Sequence, residues 1–255
     1  MNTKKRAYAF VIFIFLLSAF GILYVFSELS TEEELKDALM TDARIFKEEF
    51  ESYNDKVLDE AGSKVNVTIE EENPMIKKEP KDIINMINNK DTFIVYFSYP
   101  SCSWCRNGLS TLLNVAKEKN IGKIYYVDIS KIRDEYTLNE KNEAIKSTEG
   151  SEEYYKLLEL LDCVLEEYTP LTYVNNKGKT KTVEVPEKRI YAPSIISVKD
   201  GLPKLLYSGL AEDQTNPSDA QTTEQIKVVK EELNKLFDSL SNEDPGQCVC
   251  VDQKC

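Results

Sequence analysis

The stretch Asp91 to Ser110 constrains this chain more than any other. Phe93-Ile94-Val95-Tyr96-Phe97 is an unbroken run of β-branched and aromatic residues, which reads as a buried strand. It ends at Ser98-Tyr99-Pro100-Ser101, and Cys102-Ser103-Trp104-Cys105 follows. Leu109, Leu112, Leu113 and Ala116 then recur at helical spacing. This order puts one sulfur at a helix N-terminus, where unpaired backbone N–H groups and the positive end of the dipole favour a thiolate. Thiol–disulfide exchange requires that layout.

The composition narrows the alternatives. With 32 basic and 44 acidic residues, the net charge is −12 with histidine neutral. Such a chain has no basic surface to displace counterions from phosphates, so nucleic acid is not an expected partner. Histidine is absent, which excludes Cys-His and Ser-His-Asp catalysis and histidine-ligated zinc together. Chemistry is left to cysteines, carboxylates, lysines and hydroxyls, and no cofactor is implied. Six cysteines among 255 residues suggest an oxidising compartment.

Lys4-Lys5-Arg6 precedes an uncharged, apolar segment from Ala7 to Ser27. As a helix that segment reaches about 31 Å, roughly the thickness of a bilayer's hydrocarbon core. The basic cluster (residues 1–6) then lies in the cytoplasm and the remaining chain outside it. A cleaved signal peptide shares the basic start. It would have a shorter apolar region ending in a small-x-small site, which Gly21-Ile22-Leu23-Tyr24-Val25-Phe26 does not offer. The expectation is a single-pass anchor at 7–27 in the cell membrane and an extracytoplasmic soluble part. Its first piece, residues 28–62, is a stalk. Leu35, Leu39, Ala43, Phe46, Phe50, Tyr53 and Val57 predict an amphipathic helix from Thr31 to Leu58, closed by Gly62.

Val65, Val67 and Ile69 alternate with polar residues as a short strand would, and Asp82 to Asn89 reads as a short helix. After the cysteine helix, Ile124 to Ile129 predicts a second buried strand, making a parallel βαβ unit. Arg189 to Val198 predicts another strand. Lys199-Asp200-Gly201 turns it into Lys204 to Ser208, an antiparallel hairpin, and Gln221 to Leu240 predicts a terminal helix with Ile226, Val229, Leu233, Leu236 and Phe237 on one face.

From Val65 to Leu240, an insertion apart, this pattern resembles the thioredoxin superfamily. The residues that carry the resemblance are Cys102-Ser103-Trp104-Cys105 at a strand-to-helix junction, Ala192-Pro193 before a strand, Lys199-Asp200-Gly201 between the last two strands, and Gly209. Tyr99 to Asn107 is closer to bacterial proteins related to the bacteriocin-transport accessory group than to thioredoxin, whose tryptophan precedes its first cysteine. The fold implied is α/β, a thioredoxin-like three-layer α/β/α domain at 63–240 with a mixed sheet and a helical insertion, about 133–188, before the cis-proline strand. The resemblance implies that Cys102 attacks and Cys105 resolves. It also implies that Ala192 and a cis Pro193 hold substrate backbone, with Trp104 and Tyr99 as an apolar rim. The family's buried acid falls at Tyr96 and is absent. The implied partners are protein or peptide thiols and disulfides and an unidentified redox partner. The rival function is a non-enzymatic accessory module for peptide export, with a static Cys102–Cys105 bridge.

The insertion carries Tyr154, Leu158, Leu161, Leu165 and Tyr168 at helical spacing after Ser151-Glu152-Glu153, and a hairpin is expected at Thr172 to Val185. It reads as an elaborated crossover helix or, alternatively, as a platform over the active site. Cys163 falls off the apolar stripe of that helix, and the tail, 241–255, holds Cys248, Cys250 and Cys255. These four allow three pairings, which sequence does not choose between. One bridge from Cys163 to the tail and one within it is the expectation, with a second redox pair as an alternative. The spacing does not suit a four-cysteine zinc site, so no metal is expected.

Overall fold

The computed structural model describes residues 40–241. The chain divides into two units, Met1–Asp42 and Ala43–Cys255. The described part of the first unit, residues 40–42, is helical. Among the described residues no helix is long and apolar enough to cross a membrane. The anchor expected at Ala7–Ser27 and the tail cysteines lie outside them.

The second unit is mixed α/β. Its elements are α1 (residues 43–51 of a helix described from 40), β1 (Met75–Lys77), α2 (Pro80–Asn88), β2 (Phe93–Ser98), α3 (Ser103–Glu118), β3 (Ile124–Asp128), β4 (Glu135–Leu138), β5 (Ala144–Thr148), α4 (Glu152–Leu161), β6 (Glu166–Glu167), β7 (Leu171–Val174), β8 (Thr180–Val183), β9 (Lys188–Arg189), β10 (Ser194–Lys199), β11 (Leu202–Tyr207) and α5 (Thr223–Asp238). Five strands form one sheet in the order β1-β3-β2-β10-β11. β1, β3 and β2 run parallel, while β10 lies antiparallel to both β2 and β11. The parallel βαβ unit and the antiparallel hairpin expected from sequence are both present.

The central position of β2 follows from its composition. Every residue from Phe93 to Ser98 is buried, as a strand covered on both faces must be. Alternate residues serve two cores. Ile94 and Tyr96 join Phe46, Phe50, Leu109, Leu112, Val229 and Leu233, from α1, α3 and α5. Phe93, Val95 and Phe97 join Ile83, Ile87, Tyr154, Leu157 and Leu161, from α2 and α4. Each fully buried Leu, Ile or Phe contributes about 1.5–3 kcal/mol, so a one-residue register slip of β2 would misplace several such contributions at once.

The β10–β11 turn is fixed by backbone. Asp200 and Gly201 have φ of 52° and 75°, the left-handed geometry of a tight hairpin. Gly201 also donates to the Asp91 carbonyl at 3.0 Å, and a methyl there would run into the carbonyl oxygen of Ile87.

Several elements differ from the sequence expectation. The helix expected to Leu58 ends at residue 51, and Val57 is 60% exposed. The expected strand at Val65–Ile69 keeps its alternation, with Val67 and Ile69 inward, but forms no ladder. The second has a visible cause. Asn54 accepts from Val67 N and donates to Val67 O, each at 2.9 Å, and Glu51 accepts from Ile69 N at 2.8 Å. Side chains at the end of α1 thus take the place of a neighbouring strand. β1 was not expected, nor was the β4–β5 hairpin. The strand expected from Arg189 begins at Ser194; Lys188 and Arg189 pair instead with Glu167 and Glu166. α4 stops at Leu161, so Leu165 and Tyr168 are buried beyond the helix, and Leu157 rather than Leu158 lies fully inside. Cys163 is therefore not on α4 but in the 3-10 turn Asp162–Val164.

A candidate redox site at the start of α3

Cys102 is the N-cap of α3. Its backbone is extended, and its sulfur accepts from the Cys105 N–H at 3.1 Å. The Cys102 N–H donates to Tyr99 O at 3.1 Å, closing the turn, and Cys102 O accepts from Arg106 N at 3.0 Å, opening the helix. The two cysteines are joined by a disulfide, with their Cα atoms 5.2 Å apart. Cys102 is 5% exposed and Cys105 not at all. A nucleophile approaching this bond meets Cys102 first.

Strand pairing brings in the second half of the site. Ser194 lies opposite Phe97, so the residues before β10 fall beside the loop that follows β2. The Ala192–Pro193 peptide is cis, and the Ala192 carbonyl oxygen lies 3.5 Å from Cys102 Sγ. Ala192 and Pro193 line a groove of about 450 Å3 with Trp104, Tyr191, Tyr207 and Leu210. Gly108 makes this groove possible. The Gly209 carbonyl would sit 2.8 Å from a β-carbon at that position, so the absent side chain lets the 208–211 loop close onto α3.

The sequence-predicted residues do not all converge. Cys102, Cys105, Trp104, Ala192 and Pro193 do. Tyr99 does not line the groove; it is half-buried, with the Arg133 guanidinium 5.3 Å above its ring. Cys163 is half-exposed in its turn. The insertion serves mainly as core, through Tyr154, Leu157 and Leu161, while its Glu166 reaches the groove. At Tyr96, where an acid was looked for, the phenol donates to the Cys105 carbonyl at 3.3 Å. Burial pushes that phenol well above its ordinary range, so it cannot accept a proton from Cys105 near neutrality. Among the described residues, no three Asp, Glu or Cys side chains cluster as metal ligands would.

Two charged residues escaped the sequence reading. Arg106 is 1% exposed, and its guanidinium donates to Val65 O at 2.6 Å, Phe50 O at 2.5 Å, Pro100 O at 3.1 Å and Asn54 Oδ1 at 2.5 Å. Burial lowers its pKa, but a guanidinium remains protonated at any ordinary pH. It ties the loop before Cys102 to the end of α1. The signal was available: Arg106 stands three residues before Leu109, on the apolar side of its helix. Asp59 accepts from Ser103 Oγ at 3.0 Å and from Ser63 N at 3.0 Å. The Ser63 backbone N–H, then its side chain, hold this carboxyl below its usual range. It brings a negative charge to a helix start that has no acid of its own. No local pattern announces Asp59, because it reaches Ser103 across 44 residues.

No protein-family model matches the chain, and no curated protein matches its sequence. Assignment of chemistry therefore rests on this geometry.

Proposed function

We propose that the chain is a membrane-anchored, extracytoplasmic thiol–disulfide oxidoreductase with a thioredoxin-like domain, acting on protein or peptide thiols and disulfides. One observation carries the reading. The Cys102–Cys105 disulfide caps α3 with its more exposed sulfur facing the carbonyl of Ala192, a residue that also lines the groove. A chain lying along that groove would present a cysteine to Cys102.

From the disulfide, a substrate thiolate attacks Cys102 Sγ. The Cys102–Cys105 bond breaks, Cys105 leaves as a thiolate and takes up a proton, and a mixed disulfide remains. A second substrate thiolate then attacks the substrate sulfur, Cys102 leaves, and the substrate gains a disulfide. Two electrons pass to the protein. From the dithiol the same steps run in reverse, with Cys102 attacking and Cys105 resolving. The backbone N–H of Cys105, already 3.1 Å from Cys102 Sγ, stabilises the Cys102 thiolate in either direction. Cys105→Ser should trap a reductant-sensitive mixed disulfide through Cys102. If no such adduct forms and insulin is not reduced, the reading fails.

Burial of both sulfurs favours a second reading, a static bridge in a non-enzymatic accessory module for peptide export. The reduction potential separates the two: a value below about −300 mV marks a structural bridge, a higher one a labile pair.

A further inference from the structure

The groove beside Pro193 runs along the 206–212 segment. A second hollow of about 450 Å3 shares Tyr207, Leu210, Ala211 and Glu212 with it and extends between the 207–213 segment and the first half of α5. The lining is largely apolar: Trp104, Tyr191, Pro193 and Leu206 on one side, Val228, 49% exposed, on the other. The polar residues of this path are strongly one-sided in charge. Glu166 and Glu212 line the first hollow; Glu212, Asp213, Glu224 and Glu232 line the second; neither contains a lysine or arginine. Glu232 is paired with Lys235 at 2.6 Å, and Asp213 accepts from Gln225 at 3.0 Å. Glu166, Glu212 and Glu224 are exposed and form no ion pair with a described residue. The field is felt inside the path, where burial, then the charges of Glu232 and Glu212, push the Tyr207 phenol up to about 12.

An apolar trough with uncompensated carboxylates selects by sign. It attracts a cationic chain, speeds its encounter, and repels an acidic one by like-charge juxtaposition. A bound divalent cation is a poorer fit, because the carboxylates are spread along the trough and no three of them gather as ligands. The chain's own last residues are a poorer fit too: Glu243, Asp244 and Asp252 outnumber Lys254, giving them the wrong sign. We infer that the trough selects substrate segments that are both apolar and basic, polypeptide with Lys or Arg interspersed among apolar residues, laid across Pro193 so that a cysteine reaches Cys102. The inference names the substrate class of the site proposed above and rests on that redox reading.

The test uses the full-length protein in detergent and three synthetic peptides with a leucine-rich backbone, differing only in whether lysine, glutamine or glutamate fills the polar positions. Cysteine-free versions measure binding by fluorescence anisotropy; versions whose one central cysteine is blocked as a disulfide with a small thiol measure mixed-disulfide formation with reduced Cys105→Ser, in which Cys102 attacks the peptide sulfur and the small thiol leaves. The lysine peptide should bind at least about tenfold more tightly than the glutamate peptide, since each exposed charge pair contributes little and several act together. The preference should shrink with salt and fall several-fold in the combined Glu166→Gln, Glu212→Gln and Glu224→Gln variant. Equal binding of the three peptides overturns the inference, as does a preference that survives both high salt and the triple substitution. Charge-selective binding with no mixed disulfide from any peptide supports the trough and refutes the redox reading. Mixed disulfides forming equally fast with all three do the reverse.

Discussion

Arg106→Met tests whether the buried guanidinium holds the loop before Cys102 in place. Methionine keeps much of the apolar stem and removes every donor. The Phe50 carbonyl is fully buried, and losing its partner costs about 1–3 kcal/mol; the Val65 and Pro100 carbonyls are partly buried, and each loses about half that. Asn54 also loses a partner, but keeps its bonds to Val67. Against these losses stands the relief of burying a cation with no carboxylate beside it. Four charge-assisted hydrogen bonds already offset that burial in the wild type, so the balance stays destabilising, by about 2–5 kcal/mol. The protein has one tryptophan, Trp104, two residues from Cys102, and its fluorescence reports urea unfolding at the site itself. With a urea slope of about 2 kcal/mol per molar, the midpoint should fall by about 1–2.5 M. Arg106→Lys should recover only a small part, because one ammonium cannot reach carbonyls on three segments in a planar fork. A midpoint within about 0.3 M of wild type for Arg106→Met, or full recovery by lysine, would refute the reasoning.

Other substitutions probe separate parts of the fold. Gly201→Ala combines a left-handed φ with a collision at the Ile87 carbonyl, and should cost about 1–3 kcal/mol in the same unfolding assay; an unchanged midpoint would show that the turn relaxes freely. Asp134 is 1% exposed and its carboxyl is pushed up, chiefly by burial, with Lys146 and Arg189 pulling the other way and Glu187 adding to the rise. An acid whose folded pKa is raised binds more protons folded than unfolded, so its contribution to stability falls as pH climbs from about 4 through the raised value. The stability of Asp134→Asn should decline less over that window than the wild type's, and parallel profiles would contradict the assignment. In the dithiol form, Asp59→Asn removes a negative charge one hydrogen bond from Ser103 and should speed alkylation of Cys102 near neutral pH; slower alkylation would reverse the expected sign.

The parts of the fold legible in the sequence were those with a short-range cause. β2 announced itself because a strand covered on both faces has no polar positions, and α5 because Val229, Leu233, Leu236 and Phe237 repeat on one side. Ser151 and Thr222 accept from N–H groups of the first turns they precede, as helix-start residues do. The parts that were missed have remote causes. β1 is three residues long and exists because β3 accepts it as an edge; alone it has no periodicity to read. The extended segment at 65–69 has a strand's alternation, and nothing local reveals that its partners are the side chains of Glu51 and Asn54. The resemblance implies Tyr99 beside Trp104 in an apolar rim; in the fold its ring lies under the Arg133 guanidinium of the insertion, a partner that no local pattern announces.

The missing acid at Tyr96 changes where charge can act on the cysteine pair. With a phenol beneath Cys105, no described group at that point can take its proton, so electrostatic control passes to the open end of α3. Two influences there favour a Cys102 thiolate. The helix terminus contributes about 0.3–1 kcal/mol, and Arg106 adds a cation whose hydrogen-bond partners are all neutral. Asp59 opposes them, but it is partly exposed and its charge is screened by solvent. The favourable side is therefore the stronger, and Asp59 moderates it. A thiolate stabilised at Cys102 makes it the better leaving group and makes the disulfide the stronger oxidant. Under the redox reading proposed above, this charge distribution favours oxidation of substrate thiols, and Asp59 limits how strongly.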